Sequence, residues 1–200
     1  MLNDIIPIFP LTIIVMPGEI VPLHIYEPRY KQLINDIIAS KESFVIPYVK
    51  NKTLTNKGSM VRLYKVLAVS SGGEMDILVQ GQEIVGLTRV IEELDNKLYS
   101  GGKIETIANL NKDASLKLQA LYFQYKDEIR RINKNASPDL TNPKRILDIA
   151  GQLPLTGEEK DFLTSQQDEQ SSETFLIEKI NTYHIINERV EEIGYKFYLN

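Results

Sequence analysis

The sequence predicts an α+β fold: a twisted antiparallel β-barrel with one inserted helix, followed by an α-helical bundle that ends in a long helix. Three observations lead there. Across residues 43–107, apolar residues alternate or run in short blocks between turn residues, the signature of several short antiparallel strands. Ahead of them, Tyr30, Leu33, Ile34, Ile37 and Ile38 fall at i, i+3, i+4, i+7 and i+8, one apolar stripe on a single helix. Near Asn109 the apolar period lengthens from two to that of a helix and stays there. The change divides the chain into a β-barrel subdomain, residues 1–110, and a helical subdomain, residues 111–200.

The elements follow in order. Residues 5–11 are apolar but broken by Pro7 and Pro10, which donate nothing to a ladder, so they form an edge or first strand. Met16-Pro17-Gly18 is a turn, and 21–26 a second short strand. Glu27-Pro28 opens the helix, since proline at its first position loses no hydrogen bond. Its wet face carries Arg29, Lys31, Gln32, Asn35 and Asp36. Residues 43–50 form a strand with an edge or bulge at Pro47, and 51–58 a polar loop. In 60–70, Val61, Leu63, Val66 and Ala68 oppose Arg62 and Lys65; 70–73 turn, and 75–80 return. Gly81 marks a bulge or barrel corner, 84–91 continue, 92–96 turn, and 97–107 form a last strand kinked at Gly101-Gly102.

In the second half, Leu118, Leu121, Tyr122, Tyr125, Ile129 and Ile132 mark a helix, followed by a loop at 135–140. Asn142-Pro143 caps a short helix holding Ile146, Leu147 and Ala150, which ends near Leu153-Pro154. Thr156 and Glu159 form a capping box before a helix with Phe162 and Leu163 on its apolar side. Residues 166–172 read as a polar link. The last helix spans 173–197, with Leu176, Ile180, Tyr183, Val190 and Ile193 on one side. Its terminal aromatics Tyr195, Phe197 and Tyr198 are expected to fold back, because exposed aromatic clusters are a liability. No repeat or low-complexity segment is present.

Phe9, Pro10, Leu11, Pro17, Gly18, Pro22, Leu23, His24, Glu27, Pro28, Arg29 and Tyr30 resemble, in type and order, the opening of the Lon protease N-terminal (substrate-binding) domain. The likeness is closest to small proteins that carry this domain without the ATPase and peptidase domains. The run from Met75 to Val85 also resembles the family's strand–glycine–strand element, and Leu153-Pro154-Leu155 the L-P-L element of its helical half. Where family members often carry a basic residue three positions after that glycine, this chain has Ile84. The resemblance implies a PUA-like barrel and a non-enzymatic module that recognises polypeptide substrates or a partner protein in protein quality control. Docking would use a groove between barrel and helices, or a sheet edge. Such modules elsewhere bind RNA or small molecules, which is the alternative function.

Composition bounds the rest. Of 200 residues, 42% are hydrophobic and 25% charged, ordinary for a globular chain able to bury a core. No apolar run is long enough for a membrane span, and Asp4 with the early prolines is unlike a signal peptide. The absence of cysteine excludes disulfides, thiolate metal sites and a cysteine nucleophile, and suits a reducing cytoplasmic setting. A net charge of −4 offers no general attraction to nucleic acid. The densest basic group, Lys126, Arg130, Arg131 and Lys134, is interleaved with Asp127 and Glu128 and reads as a solvated helix face.

Chemistry is scarce. An ATPase needs a phosphate loop ending in Gly-Lys-Ser/Thr, and Asn56-Lys57-Gly58-Ser59 has the wrong order. Ser40 and Lys41 read as ordinary loop residues, and no nucleophile-elbow spacing occurs. Of the two histidines, His24 reads as a half-buried imidazole bonded to backbone, and His184 as an interhelical contact. No catalytic residue, cofactor or metal is expected, and the oligomeric state is not set. The candidate partner-binding residues are Glu27 and Arg29, polar positions in the first turn of the inserted helix, where local capping and salt bridging would use the same side chains.

Overall fold

The computed structural model describes residues 5–107, 110, 112–132, 143–166 and 168–198, with side chains placed to 189. The expected loop at 135–140, the cap at Asn142, Lys134, and the side chains of Val190, Ile193, Tyr195, Phe197 and Tyr198 fall outside this description. The chain forms two compact units: residues 1–108 with 150–165, and residues 109–149 with 166–200.

The first unit is built on β1 (Ile5–Pro7), β2 (Ile20–Ile25), α1 (Pro28–Ser40), β3 (Phe44–Lys50), β4 (Thr53–Val69), β5 (Met75–Ile91) and β6 (Gly101–Thr106). The strands pair antiparallel in the order β1-β6-β5-β4-β3, with β2 added to β5. The path closes on itself. Ile8 and Leu11, just past β1, bridge to Val45 and Tyr48 of β3 in parallel, held by Phe9 N–H to Val45 O at 2.9 Å and Val49 N–H to Leu11 O at 2.8 Å. Pro7 and Pro10 can sit here because the closure uses few main-chain donors.

The barrel takes only part of the two long strands. β3 leaves β4 at Val61, and beyond it residues 62–69 of β4, 75–80 of β5 and β2 make a three-stranded arm. Across this arm Leu63, Val79 and Val21 stand in register, as do Val66, Ile77 and Leu23. Paired residues share a face, so these form its inner side. α1 covers that side with Tyr30, Leu33, Ile34 and Ile37, all buried in the same core as Ile77 and Val79. Gly81 stands at the junction. A Cβ there would lie 2.0 Å from the Met16 carbonyl oxygen, because residues 16–19 cross against it and exchange main-chain hydrogen bonds with it. The bulge expected at this corner falls one residue on, where Gln82 is extra between Met60–Glu83 and Val61–Gly81.

α4 (Gly157–Ser165) belongs to this unit and opens with the expected capping box. Thr156 N–H donates to Glu159 Oε2 at 2.8 Å, and Glu159 N–H to Thr156 Oγ1 at 3.3 Å. Lys57, itself largely buried, ties it to β4 by donating to Asp161 Oδ1, Thr164 Oγ1 and Ser165 Oγ.

The helical unit contains α2 (Leu116–Ile132), α3 (Ile146–Ala150) and the long α5 (Glu169–Tyr198). Leu118, Tyr122 and Tyr125 of α2 and Leu176 and Ile180 of α5 are buried. The Tyr125 and Tyr183 rings meet at a tilt of 38°, 5.7 Å apart between centroids, and His184 Nδ1 meets Glu128 Oε2 at 2.5 Å, the interhelical role expected of this histidine.

Several local expectations are corrected. Residues 53–58 are strand, not loop: Asn51 and Lys52, at φ 50° and 64°, turn the chain in two residues. The polar link ends early, because the Asp168 carboxylate caps α5 by accepting from Ser171 N–H at 3.0 Å. β6 starts at Gly101 instead of kinking there. His24 is exposed and bonds the Asp76 carboxylate at 2.8 Å, since the alternation of β2 puts it on the outer face of the arm. Phe162 is half-exposed, with Leu163 alone facing the core.

Candidate functional site

Glu27 and Arg29 stand at the start of α1. Glu27 occupies the N-cap position with extended backbone, yet its side chain caps nothing. It accepts two hydrogen bonds from the Arg29 guanidinium, at 3.0 and 2.5 Å. The same guanidinium lies 4.9 Å from the centre of the Tyr30 ring. The bond to Glu27, with the field of Tyr30, raises the Arg29 pKa further, so the pair is a charged, solvent-facing couple next to the exposed Tyr26. It lies at the end of α1 nearer the β4–β5 turn, where Lys31 Nζ donates to Gly72 O at 2.9 Å.

A larger feature lies at the other end of the helix. Among the described residues, 62–69 of β4 pair with β5 on one side and with nothing on the other. Between this free edge and α1 runs an open groove of about 430 Å³. Ile37, Ile38, Leu63 and Val66 supply its apolar lining, and Lys41, Glu42, Arg62 and Lys65 its charges. Lys41 arrives there because it ends α1 in the left-handed conformation, φ 59°, its N–H closing on Ile37 O.

Two bulges shape the edge. The register steps from Leu63–Val79 to Lys65–Leu78, and from Val66–Ile77 to Ala68–Asp76, leaving Tyr64 and Leu67 as extra residues on β4. A bulge residue has no cross-strand partner and leaves the regular pleat. Tyr64 and Leu67 are each 52% exposed, Val69 is 62% exposed, and Ile38, placed on the apolar stripe by its spacing, is 44% exposed beside the groove. The second bulge also turns Ala68 to the outer face, away from Val66 with which it was expected to align. Large apolar side chains gathered along an unpaired edge are what a polypeptide-docking surface presents. The bulges also break the even spacing that a regular added strand would need.

Sequence reasoning missed Tyr64, Leu67 and Val69. Its signal was present: Leu63-Tyr64 and Val66-Leu67 are adjacent apolar doublets, which strict alternation forbids and a bulge restores. Glu27 and Arg29 do not line the groove.

On the opposite side of α1 a second open groove of about 810 Å³ is lined by Asp36, Glu42 and Asp95, with Lys97 and Tyr99. Asp36 Oδ2 accepts from Lys97 Nζ at 2.8 Å and from Tyr99 OH at 2.7 Å. The Lys97 bond holds the Asp36 carboxyl below the ordinary carboxylate value, while burial and the carboxylate raise the Tyr99 phenol. Among the described residues no group of three or more His, Cys, Asp or Glu could hold a metal ion, and no helix is long and apolar enough to cross a membrane.

Residues 5–161 match the family model of the ATP-dependent protease La (LON) substrate-binding domain, and the chain belongs to that family. Among solved structures it is similar to the Lon N-terminal domain protein from Xanthomonas campestris, with 18% identity over 90% of this chain and 98% of that one and a TM-score of 0.59. It is likewise similar to the N-terminal domain of the Mycobacterium avium complex Lon protease, with 17% identity over 88% and 98% and a TM-score of 0.63. At these identities the structural likeness shows the fold alone. No curated protein sequence matches the chain. The family defines a substrate-binding module, a domain that is not itself catalytic.

Proposed function

We propose that this chain binds polypeptide, in the form of extended segments with exposed apolar side chains, and acts without catalysis of its own. The binding face is the groove between α1 and the free edge of β4. The observation that carries this reading is exposed Tyr64 and Ile38 beside the apolar floor of Ile37, Leu63 and Val66, with the exposed Leu67 and Val69 continuing the same free edge of β4 beyond the groove. The family name supports substrate binding, and the cysteine-free sequence suits a cytoplasmic setting for it. Glu27 and Arg29 are proposed as outlying contacts near the far end of the same helix.

The test is fluorescence anisotropy with a labelled, permanently unfolded protein, such as a reduced and carboxymethylated albumin. The wild-type chain is expected to bind, and Tyr64→Ser with Leu67→Ser to bind at least about tenfold more weakly at an unchanged melting temperature, each buried apolar contact being worth about 1 kcal/mol or more. Absence of binding by the wild type would sink the reading; equal binding by the variant would move the site elsewhere.

A further inference from the structure

The two grooves beside α1 share Ile37 and Glu42 but carry opposite charge. The larger sets Asp36, Glu42 and Asp95 against Lys97, whose charge is already committed to Asp36 at 2.8 Å. The smaller, lying along the free edge of β4, sets Lys41, Arg62 and Lys65 against the single carboxylate of Glu42. These three cations keep their charge available. Arg62 donates to the neutral Gln80 Oε1, at 3.0 and 2.6 Å, and neither Lys41 nor Lys65 has an ion-pair partner among the described residues. This local excess of positive charge stands out on a chain whose net charge is −4.

The placement is as telling as the count. Lys41 closes the end of α1, while Arg62 and Lys65 bracket Leu63 and Tyr64 on β4. Arg62 and Lys65 pair with Gln80 and Leu78 and so stand on the other face of β4 from Leu63 and Val66. They line the groove from the outer side of its edge, and Lys41 lines it from the helix end. The apolar floor is Ile37, Leu63 and Val66. An isolated apolar side chain would meet the floor whatever its neighbours in sequence. The residues on either side of it would meet the cations.

We infer that this groove selects polypeptide segments whose apolar residues are flanked by aspartate or glutamate. The inference rests on the polypeptide-binding reading above and narrows it to a substrate class. An apolar side chain enters the floor, and flanking carboxylates reach Lys41 and Lys65. Basic flanks would instead meet like charge, which costs affinity more than neutral flanks do. Nucleic acid shares the negative charge but lacks the aliphatic side chains that the floor accepts.

The experiment compares three fluorescein-labelled peptides sharing one Leu/Phe core and flanked by Asp/Glu, by Ser/Asn or by Lys/Arg. Each is titrated with the full chain by anisotropy, at low and at high ionic strength, beside a labelled oligouridylate. The expected result is tightest binding of the acidic-flanked peptide, about tenfold over the basic-flanked one at low salt, with the gap shrinking as salt screens the cations. Lys41→Glu with Lys65→Glu is expected to reverse the order at an unchanged melting temperature, and Lys65→Gln alone to narrow it. Equal affinity for all three peptides, or preference for basic flanks, would overturn the charge selection and leave polypeptide docking standing. Tighter binding of oligouridylate than of any peptide would overturn it in favour of a nucleic-acid ligand. Failure of every peptide to bind would remove the polypeptide reading itself.

Discussion

The two halves of β4 carry the same kind of sequence and serve opposite ends. From Gly58 to Val61 the strand lies between β3 and β5, and Gly58, Ser59 and Val61 are buried. From 62 to 69 it has β5 alone, and Tyr64, Leu67 and Val69 face water. Ser59 shows how the barrel half treats a polar group: its buried hydroxyl oxygen accepts the Val15 N–H at 2.9 Å, so each meets the other. The arm half instead leaves backbone groups and large apolar side chains uncovered at its edge. One strand thus supplies stability in its first half and a surface in its second. The difference lies in which neighbours reach it.

The comparison can be broken or sharpened by substitution. The largest loss is expected at the core that α1 shares with the inner face of the arm. Leu33, fully buried, lies there. Leu33→Ala should cost about 3–4 kcal/mol, read as a shift in the urea midpoint at constant slope. A loss below about 1 kcal/mol would mean that the helix packs loosely on the arm.

Next comes the junction. Gly81→Ala places a methyl 2.0 Å from Met16 O, so the crossing segment must move, at a cost of roughly 2–3 kcal/mol. Thermal melting should fall by about 5–10 °C for a chain of this size. An unchanged melt would show that barrel and arm are not held at this point.

Asp161 tests the barrel half and its tie to α4. Burial pushes its carboxyl up, but the hydrogen bonds from Lys50 and Lys57 outweigh this and leave it below the ordinary value. Asp36 is held below it too, chiefly by the bond from Lys97. A carboxylate depressed on folding binds more protons in the unfolded chain. Its stabilisation is therefore fully present above the unfolded value of about 4 and is lost as pH falls through the lower folded value. The urea midpoint should hold steady from neutrality down to about pH 5 and drop below about pH 4. Asp161→Asn should flatten that drop; an identical acid profile would remove Asp161 from the account.

The smallest changes in stability belong to the free surface. Leu67→Ser on the bulged edge, and charge reversal of Glu27 and Arg29 together, should each leave stability within about 0.5 kcal/mol. Their expected effect is on polypeptide binding, measured by anisotropy. If reversal of the pair leaves affinity unchanged, Glu27 and Arg29 drop out of the binding face.

Much of this was legible in the residues. The stripe from Tyr30 to Ile37 named the helix and its buried side, and the capping box at Thr156 and Glu159 appears bond for bond. These are local features, decided within a few residues of chain. The candidate site was harder. Ile38 has the spacing of a core residue, yet it faces the groove, because only the placement of β4 decides how wide a stripe α1 buries. His24 follows the alternation of β2 correctly, but whether that face is covered depends on what lies above the sheet.

By itself the sequence determined most of the elements and their order, the turn at Met16–Gly18, the capping box at Thr156 and the family to which residues 5–161 belong, but not the two-residue turn at Asn51-Lys52. Periodicity and caps are short-range, and a run of prolines, glycines and aromatics in set order survives as a family mark. Only the tertiary structure decided that β3 leaves β4 at Val61, that Tyr64 and Leu67 bulge into water, and that α1 parts a cationic groove from an acidic one. Each of these depends on which distant strand occupies an edge. Strand pairing joins residues far apart in the chain through main-chain groups that every residue carries, so side-chain pattern alone does not specify it.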